Sequence, residues 1–431
     1  MKKIRIGVLG AYRGTSMISY CKQAENAELV AICDKSHDAL EAQKQNAKGL
    51  NIAFYDNFDE FIQHDMDAVV LANYANEHAP FAIRAMKAGK HVFSELLPVQ
   101  NLKEAVELVE TVEATGKVYA YGENCCYMAA PFEMKKLYQA GRIGEFEYGE
   151  CEYIHNCEPI WPSITYGQEE HWRNNMYSTF YCTHSLGPII HMTGLRPVSV
   201  MALEGTKNQR NLRSGSKGGP FGVMLVTLEN GGIIKSINGC FLYGNSTWFS
   251  AYGSKGSMET GRKLAKDGVL DRIYVSADEY SGGFETNKRE DYYPTHGMED
   301  KIKSFGHGGS DFYSMYYFVE KIKGNPDADI IDVYEALDMF LPGLFGYFSI
   351  LDGSAPKQIP DLRDKAQREL WRDNTACVDP KAAGDMLLPT KLGGTPQIDA
   401  SVYAHMKQKW DAEFEKEDSY RSKAFKQGKI N

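Results

Sequence analysis

The chain has 431 residues, enough for two or three domains and for a sizeable buried core. Its composition, 43% hydrophobic and 24% charged residues, is that of a globular protein and excludes a disordered chain, a collagen-like fibre and a coiled-coil rod. The 48 Lys and Arg residues against 57 Asp and Glu residues give a net charge of −9, which argues against non-specific binding to nucleic acid or to an anionic membrane. We therefore expect neither among its partners.

The sequence carries no signal for a membrane span, for secretion or for a metal. No apolar run approaches the roughly 18 residues of a membrane span, and the first ten residues are typical of a strand rather than a signal peptide. The nine cysteines show neither zinc spacing nor a disulfide framework, and the histidines lack ligand spacing. We expect reduced, packed thiols, a cytoplasmic location and no metal site.

Strand and helix patterns alternate along the first 120 residues. Strands are predicted over 4–9, 28–33, 68–72, 91–94 and 118–121, with helices to about residue 23 and over 36–48, 77–88 and 102–114. Such alternation predicts βαβ units and a doubly wound parallel sheet, and the apolar strands suit burial on both faces.

The pattern changes after about residue 124. Strands are predicted over 146–154, 198–203, 221–228, 233–242 and 248–252, and helices over 311–323, 333–351 and 400–416. The alternating strands and glycine turns predict a mainly antiparallel sheet. We expect three segments, 1–123, 124–380 and a polar tail with one helix, 381–431.

The first predicted strand ends at a loop that contains two glycines, Gly10 and Gly14, and leads into a helix. Dinucleotide-binding folds need glycine here for a tight turn and for close approach of backbone to a pyrophosphate, which then meets the helix N-terminus. The match to G-x-G-x-x-G is imperfect, because Tyr12 stands at the second glycine position and the loop is one residue short. The loop predicts cofactor contacts from Gly10, Tyr12, Arg13 and Gly14, but alone it is a weak signal.

Asp34 follows the second strand, about twenty residues after the loop. A carboxylate here accepts hydrogen bonds from both ribose hydroxyls and repels a 2′-phosphate, which favours NAD over NADP. The structural alternative is an aspartate in a surface turn. Because the loop, the strand order and Asp34 occur together, we predict that residues 1–123 form an NAD-binding Rossmann domain.

Polar residues also follow the next two strands. Asn73, Asn76 and His78 follow the third, and Glu95 follows the fourth. Ligands of open α/β sheets bind at the carboxyl ends of the strands, so these residues are predicted to face the cofactor cleft. Alternatively, Asn76 caps the following helix and His78 simply lies in its first turn.

At this point the chain resembles the glucose–fructose oxidoreductase / inositol dehydrogenase / MocA family. The characteristic segments are residues 85–92 (AMKAGKHV), residues 137–144 (LYQAGRIG) and the helix from His184 to Gly194, and the resemblance spans about residues 1–370. It implies an N-terminal Rossmann domain and, over 124–380, an α/β substrate and oligomerisation domain on an open, mainly antiparallel sheet. It also implies a homodimer or homotetramer, by analogy alone.

The chain departs from the ordinary dehydrogenases of that family. They carry Glu-Lys-Pro after the fourth strand, with a lysine that assists proton transfer, whereas this chain has Glu95-Leu96-Leu97-Pro98 and no such lysine. Phe180 and Gly187 also stand where aspartates are common in the family. A simple sugar dehydrogenase would need a different acid–base set.

A subgroup of that family, NAD-dependent glycoside hydrolases known as α-N-acetylgalactosaminidases, is more similar. The similar segments are, in order, 94–98 (SELLP), 123–127 (ENCCY), 153–155 (YIH), 172–173 (WR) with 181–188 (YCTHSLGP), and 306–312 (GHGGSDF). The interval between Arg173 and His184 is about four residues shorter than in that subgroup, and the glycine loop is altered. The sugar, the anomer and the aglycone therefore stay open.

The resemblance implies hydrolysis by a redox route. Tightly bound, recycled NAD takes hydride from sugar C3, loss of the C2 proton expels the C1 group, water adds, and the hydride returns. His184 is the predicted base at the 3-hydroxyl, since imidazole suits neutral pH. Tyr127 is the predicted base at C2, which requires a lowered pKa. Arg173 and Tyr181 would hold the sugar, and Glu95 would orient the nicotinamide side or a hydroxyl.

Two histidines have a lower rank in this prediction, and one further residue belongs to the cofactor-binding set. His155 and His307 are second-rank substrate-site candidates, and Asn124 joins the predicted cofactor-binding residues. The structural alternatives are a structural histidine at the helix start for His184, a turn histidine for His307, a packed aromatic for Tyr127 and a surface ion pair for Arg173.

Three functions remain open at this level. The first is the NAD-dependent glycosidase acting on a small glycoside. The second is an NAD-dependent sugar or cyclitol dehydrogenase, or an enzyme that forms 3-keto sugars. The third is a non-catalytic cofactor-binding protein, which the degenerate glycine loop keeps open. Net NADH production separates the second from the first, and cofactor retention without turnover points to the third.

Overall fold

The structure is a computed structural model that describes residues 2–206, 209–262, 272–278, 287–302 and 305–414. Its first region contains β1 (Ile4–Leu9), α1 (Thr15–Gln23), β2 (Ala27–Cys33), α2 (His37–Asn46), β3 (Ala53–Tyr55), α3 (Phe58–Phe61), β4 (Ala68–Leu71), α4 (His78–Lys87), β5 (His91–Ser94), α5 (Leu102–Thr115) and β6 (Tyr119–Tyr121). The six strands are parallel in the order β3-β2-β1-β4-β5-β6, so the predicted doubly wound sheet is confirmed.

Local chemistry sets the ends of the helices in this region. The side chain of Asn101 accepts a hydrogen bond from the backbone N–H of Glu104, which caps the start of α5. Gly116 ends the same helix at φ +60°, a conformation that costs glycine little. Strands β1 and β4 are apolar and buried, as a sheet covered by helices on both faces requires.

The second region contains α6 (Ala129–Gln139), β7 (Phe146–Ile154), α7 (Trp161–Thr165), α8 (Cys182–Thr193), β8 (Pro197–Glu204), α9 (Arg210–Arg213), β9 (Gly222–Leu228), β10 (Ile233–Gly239), β11 (Ser246–Gly253), β12 (Gly256–Thr260), β13 (Ile273–Asp278), β14 (Asn287–Tyr292), α10 (Glu299–Ile302), α11 (Ser310–Ile322), α12 (Val333–Leu351), β15 (Lys357–Gln358), α13 (Lys365–Trp371), α14 (Pro380–Ala383) and α15 (Ala400–Phe414). The strands form one sheet in the order β14-β13-β12-β11-β7-β10-β9-β8-β15. Among the described strands of this second sheet, only the β7–β10 pair is parallel, so the mainly antiparallel sheet is confirmed.

One face of this sheet packs on α8 and α12, and the opposite face is open. Of the 19 residues of α12, 15 are buried. On the open face, alternate positions of the strands leave large apolar side chains exposed, among them Met201, Leu203, Leu225, Ile233 and Tyr252. The fold therefore presents an apolar sheet surface that no described element covers.

Several elements differ from the sequence prediction. The short strands β3 and β12 to β15 were not predicted, and β10 ends at Gly239 rather than at residue 242. Residues 415–416 of the last predicted helix lie outside the described residues. Within the described part of the chain, no helix is both long and apolar enough to cross a bilayer.

Candidate functional site

A cavity of about 870 Å³ lies at the carboxyl ends of β1, β2 and β4. The Rossmann side of its wall includes Gly10, Tyr12, Arg13, Asp34 and Asn73. The second region supplies the facing wall, which includes Tyr166, Arg173, His307, Asp311 and Trp410. The cavity has the place and size of a cofactor and substrate cleft in an open α/β fold.

The two glycines of the loop are required by close backbone contacts. Gly10 has φ +103°, and an added Cβ would lie 2.3 Å from the carbonyl oxygen of Ala72. At Gly14, an added Cβ would lie 2.5 Å from the carbonyl oxygen of Gly10 and 2.7 Å from Val8 Cγ1. The loop therefore keeps the tight turn and the close helix–strand packing of a dinucleotide site, although Tyr12 stands between the glycines.

Asp34 lies at the end of β2 and lines the cavity, as predicted for a ribose-binding residue. Its Oδ2 accepts from the backbone N–H of Ala11 at 2.7 Å, and its Oδ1 accepts from that of Ser36 at 2.8 Å. Burial raises the pKa of Asp34 above its usual value, and these two hydrogen bonds only partly oppose that shift. Each carboxylate oxygen has a second lone pair, so hydroxyl donors can still bind.

The three polar residues after β4 have different surroundings. Asn73 lines the cavity; its Nδ2 donates to Glu77 Oε2 at 3.1 Å, and its buried Oδ1 has no partner among the described residues. Asn76 instead donates to Asp379 Oδ2 at 2.8 Å and does not cap α4. His78 is buried, with Nδ1 3.0 Å from the carbonyl oxygen of Leu97, and burial lowers its pKa to about 4.

The glycine loop, the end of β5 and the start of α11 meet in a charged cluster. Arg13 Nη2 lies 2.8 Å from Glu95 Oε1, and His307 Nδ1 lies 3.0 Å from Asp311 Oδ1. Burial raises the pKa of Glu95, and Arg13 opposes that shift. Burial also raises the pKa of Asp311, but His307 and Arg13 together hold it well below its usual value. The buried carboxyl of Glu95 is thus linked to the cavity wall through Arg13, which lines the cavity.

His184 and Glu123 form a buried pair at the start of α8. His184 Nδ1 lies 2.8 Å from Glu123 Oε1, which also accepts from the backbone N–H of Cys125 at 3.1 Å. Although burial raises the pKa of Glu123, its attraction to His184 holds that pKa below the usual value. Glu123 is therefore an anion that fixes the orientation of the His184 ring.

Gly187 makes room for this pair. An added Cβ at Gly187 would lie 2.9 Å from Glu123 Cγ and 3.3 Å from Met339 Sδ. The side chain of Glu123 thus passes over the position where an aspartate is common in the family that the chain resembles. The carboxylate that lies beside His184 is therefore that of Glu123, from another part of the chain.

Aromatic side chains surround His184. The ring centroid of Tyr153 lies 4.3 Å from that of His184, and the ring of Tyr181 lies 5.7 Å away. His155 lies next to Tyr153, and its Nδ1 is 3.3 Å from Cys157 Sγ. Burial raises the pKa of Tyr153 well above its usual value.

Arg173 joins the cavity wall to this aromatic group. Its Nη1 donates to the carbonyl oxygen of Ile164 at 3.0 Å, and its guanidinium lies 4.4 Å from the centre of the Trp172 ring. Burial raises the pKa of Tyr181, and Arg173 opposes that shift. Arg173 and Tyr181 are therefore close enough to act on one ligand.

Tyr127 does not line the cavity, and neither do His184, Tyr153 and Tyr181. Its hydroxyl donates to the carbonyl oxygen of Asp329 at 2.8 Å, and its ring packs near His191 and Tyr317. Burial raises its pKa well above the usual value, which is opposite in direction to the lowered pKa that a base at C2 requires. Asn124, in the same short helical turn, is buried.

Sequence reasoning did not assign Glu123 or Tyr153, although both lie in motifs that it quoted. The signal for Glu123 was the missing aspartate at Gly187, which leaves a histidine without a carboxylate partner. Glu123, Cys125 and His184 also place potential metal-ligand atoms within 4.8 Å of one another. Burial raises the pKa of the Cys125 thiol well above its usual value, which disfavours the thiolate that a metal binds.

Comparisons with known proteins match both regions of the chain. A family model described as oxidoreductase family, NAD-binding Rossmann fold, matches residues 4–123, and the glycosyl hydrolase 109, C-terminal domain, matches residues 298–368. A glycosyl hydrolase family 109 protein of Solibacter usitatus is 28% identical over 400 residues, covering 83% of this chain and 88% of the relative. Glycosyl hydrolase family 109 protein 1 of Bacteroides thetaiotaomicron is 26% identical over 404 residues, covering 84% and 85%.

Solved structures share the fold. Myo-inositol 2-dehydrogenase from Lactobacillus plantarum has a TM-score of 0.64 at 19% identity, covering 83% of this chain and 100% of its own. Levoglucosan dehydrogenase in complex with NADH and L-sorbose has a TM-score of 0.66 at 15% identity, covering 84% and 100%. At these identities the likeness concerns the fold alone.

Proposed function

We propose that the chain, which matches family models for the NAD-binding Rossmann domain of Gfo/Idh/MocA oxidoreductases and for the glycosyl hydrolase 109 C-terminal domain, is an NAD-dependent glycoside hydrolase. The observation that carries the proposal is the buried His184–Glu123 pair in a chain that lacks the usual lysine after Glu95. The pair supplies the acid–base function that this lysine and the missing aspartates would otherwise supply. The substrate would be a small glycoside.

The cleft fits the dinucleotide. Gly10 and Gly14 allow the backbone approach, Asp34 suits ribose hydroxyls, and the partnerless Oδ1 of Asn73 is a buried acceptor in the same cavity. When bound there, NAD⁺ would accept hydride from C3 of the sugar and later return it. Tight binding of NAD is part of this proposal.

His184 is the proposed base at the sugar 3-hydroxyl. Its Nδ1 faces Glu123, so its Nε2 is the atom available to take the hydroxyl proton. The anionic Glu123 stabilises the imidazolium that forms and holds the ring in one orientation, as the carboxylate of a catalytic triad does.

We propose Tyr153 as the base at C2, in place of the predicted Tyr127. Burial raises the pKa of both phenols, but only Tyr153 packs against His184. Once His184 has taken the 3-hydroxyl proton, its positive charge next to the Tyr153 ring favours loss of the phenol proton to water. The phenolate that forms then takes the C2 proton and returns to the neutral phenol.

The remaining predicted residues are proposed to hold and orient the sugar. Arg173 and Tyr181 lie together and would bind hydroxyls or a charged substituent. Glu95, held by Arg13 at 2.8 Å, would orient the nicotinamide side or a hydroxyl. His155 and His307 are proposed as further contacts at the rim.

The second candidate function is an NAD-dependent sugar dehydrogenase. The pairing of His184 with Glu123 would serve hydroxyl oxidation equally well, because proton removal from a hydroxyl is common to both reactions. The missing lysine after Glu95 argues against a sugar dehydrogenase of the ordinary type.

Turnover of a panel of aryl α- and β-glycosides, with NADH absorbance followed in the same sample, tests the proposal. We expect release of the aryl group without net NADH. Steady NADH accumulation on free sugars without glycoside cleavage would favour the dehydrogenase. Tight NAD binding without either reaction would favour a non-catalytic protein.

The open sheet face supports a homo-oligomer. Met201 and Leu225 are cross-strand partners on β8 and β9, and both side chains are exposed. Burial of such a surface against a second copy would remove apolar area from water. We propose that this face pairs two subunits.

We also propose that the chain divides into three segments at residues 123 and 380.

A further inference from the structure

Helix α15 is firmly attached to the second region, although it is far along the chain from the cofactor loop. Tyr403, Met406 and Trp410 are spaced at three and four residues and therefore lie on one helix face. Tyr403 and Met406 are buried, and the hydroxyl of Tyr403 donates to the carbonyl oxygen of Gly215 at 3.0 Å. The helix thus holds Trp410 in a fixed place.

The segment after α7 is shaped to receive this helix. An added Cβ at Gly167, which has φ +61°, would lie 2.6 Å from the Cα of Lys407. The preceding residue, Tyr166, also has a positive φ of 54°, which is uncommon for a residue other than glycine. A backbone of this shape recurs at functional sites, where the surrounding structure holds it.

Tyr166 and Trp410 together form an aromatic wall over the cavity. Their ring centroids lie 5.2 Å apart, and both residues line the cavity. The Tyr166 ring also lies 6.2 Å from Tyr74 and 6.1 Å from Tyr12 of the glycine loop. The wall therefore bridges the Rossmann side of the cleft to α15.

The aromatic wall lies at the end of the cavity that contains Asp34. The ammonium of Lys35, the residue directly after Asp34, lies 3.9 Å from the centre of the Tyr74 ring. The aromatic side chains from Tyr74 to Trp410 thus stand beside the carboxylate proposed to bind the ribose hydroxyls.

We propose that Trp410 is a cofactor-retaining residue, which covers the bound dinucleotide and slows its release. This inference rests on the proposed function. A reaction that returns its hydride in each cycle needs no exchange of NAD between turnovers, so slow release does not limit it. A large aromatic side chain packed over a ligand lowers the dissociation rate more than it changes the association rate.

Release of NADH from the full-length protein tests this inference. The protein is loaded with NADH and mixed with excess NAD⁺, and the loss of bound-NADH fluorescence gives the dissociation rate. We expect Trp410→Ala to raise that rate at least about tenfold, and Trp410→Phe to raise it only about two- to threefold. His405→Ala, at an exposed position of the same helix, is the matched control and should release NADH as the wild type does.

Equal release rates for wild type and Trp410→Ala, with unchanged circular dichroism, would overturn the inference. So would wild-type release faster than glycoside turnover. The measurement needs no glycoside: faster release from Trp410→Ala supports retention even if no glycoside is cleaved, in which case the proposed function alone fails. A wild type that binds no NADH would contradict both.

Discussion

His184 Nδ1 lies 2.8 Å from Oε1 of Glu123, a carboxylate whose side chain is fully buried. The two residues are 61 positions apart: Glu123 directly precedes the short helical turn Asn124–Tyr127, and His184 lies in the first turn of α8. The pair joins an imidazole to a fixed anion, and the proposed chemistry depends on it.

Replacement of Glu123 by glutamine should reduce glycoside turnover by about 10²- to 10⁴-fold, since the imidazole loses its anionic partner and its fixed orientation. NAD binding should not change. The matched control is Glu104→Gln, a half-buried carboxyl that does not line the cavity, and an unchanged kcat for Glu123→Gln would contradict the role of the pair.

Removal of one phenol at a time separates the two tyrosines. We expect Tyr153→Phe to reduce turnover at least about 10²-fold, because a general base contributes roughly that much. Tyr127→Phe should keep most activity and lose about 1 kcal/mol of unfolding free energy, because its hydroxyl bond to the Asp329 carbonyl is lost. The reverse pattern, inactive Tyr127→Phe and active Tyr153→Phe, would restore Tyr127 as the base.

The stability of the protein should fall in alkaline solution because of His191. Burial lowers the pKa of His191, as does Lys135, but Glu335 and Asp329 have the larger effect and raise that pKa to about 9. A raised folded pKa contributes stability below the unfolded value of about 6.5, and this contribution is lost as pH rises toward about 9.

Urea unfolding at pH values below and above that window measures the effect. We expect the free energy of unfolding of the wild type to fall by the order of 1–3 kcal/mol more than that of His191→Gln. His405→Gln, at an exposed histidine, serves as the control and should follow the wild type. Parallel pH curves for wild type and His191→Gln would refute the assignment.

The exposed apolar face should hold subunits together. The double variant Leu203→Glu/Leu225→Glu places two like charges on that face and should convert the wild-type oligomer into monomers with unchanged circular dichroism, as measured by sedimentation velocity. Leu370 is also exposed but lies on α13, so Leu370→Glu should leave the oligomer intact. A monomeric wild type would contradict this interface.

The parallel, doubly wound character of the first sheet and the position of Asp34 at its carboxyl edge could be predicted from sequence, because apolar runs and strand-end polar residues are local signals. The end of β2 at Cys33 and the place of Asp34 beside the cavity both followed from them. The three-residue strand β3 (Ala53–Tyr55) is too short to show a period, and it forms only because β2 offers a paired edge.

The candidate site was less accessible to sequence reasoning, because burial decides the chemistry of its residues. Tyr127 and Glu123 stand in the same motif, yet the first points to the carbonyl of Asp329 and the second to His184. Trp410 lies far along the chain from the glycine loop, and only the docking of α15 brings it to the cleft. No local pattern carries that information.

Cleavage of an active glycoside in D₂O with NAD⁺, followed by NMR of the released sugar at C2, tests the proposed redox mechanism. We expect deuterium at C2 of the product together with no net NADH, because the C2 proton is removed and replaced from a base that exchanges with solvent. Cleavage in the wild type with the C2 hydrogen fully retained would contradict it.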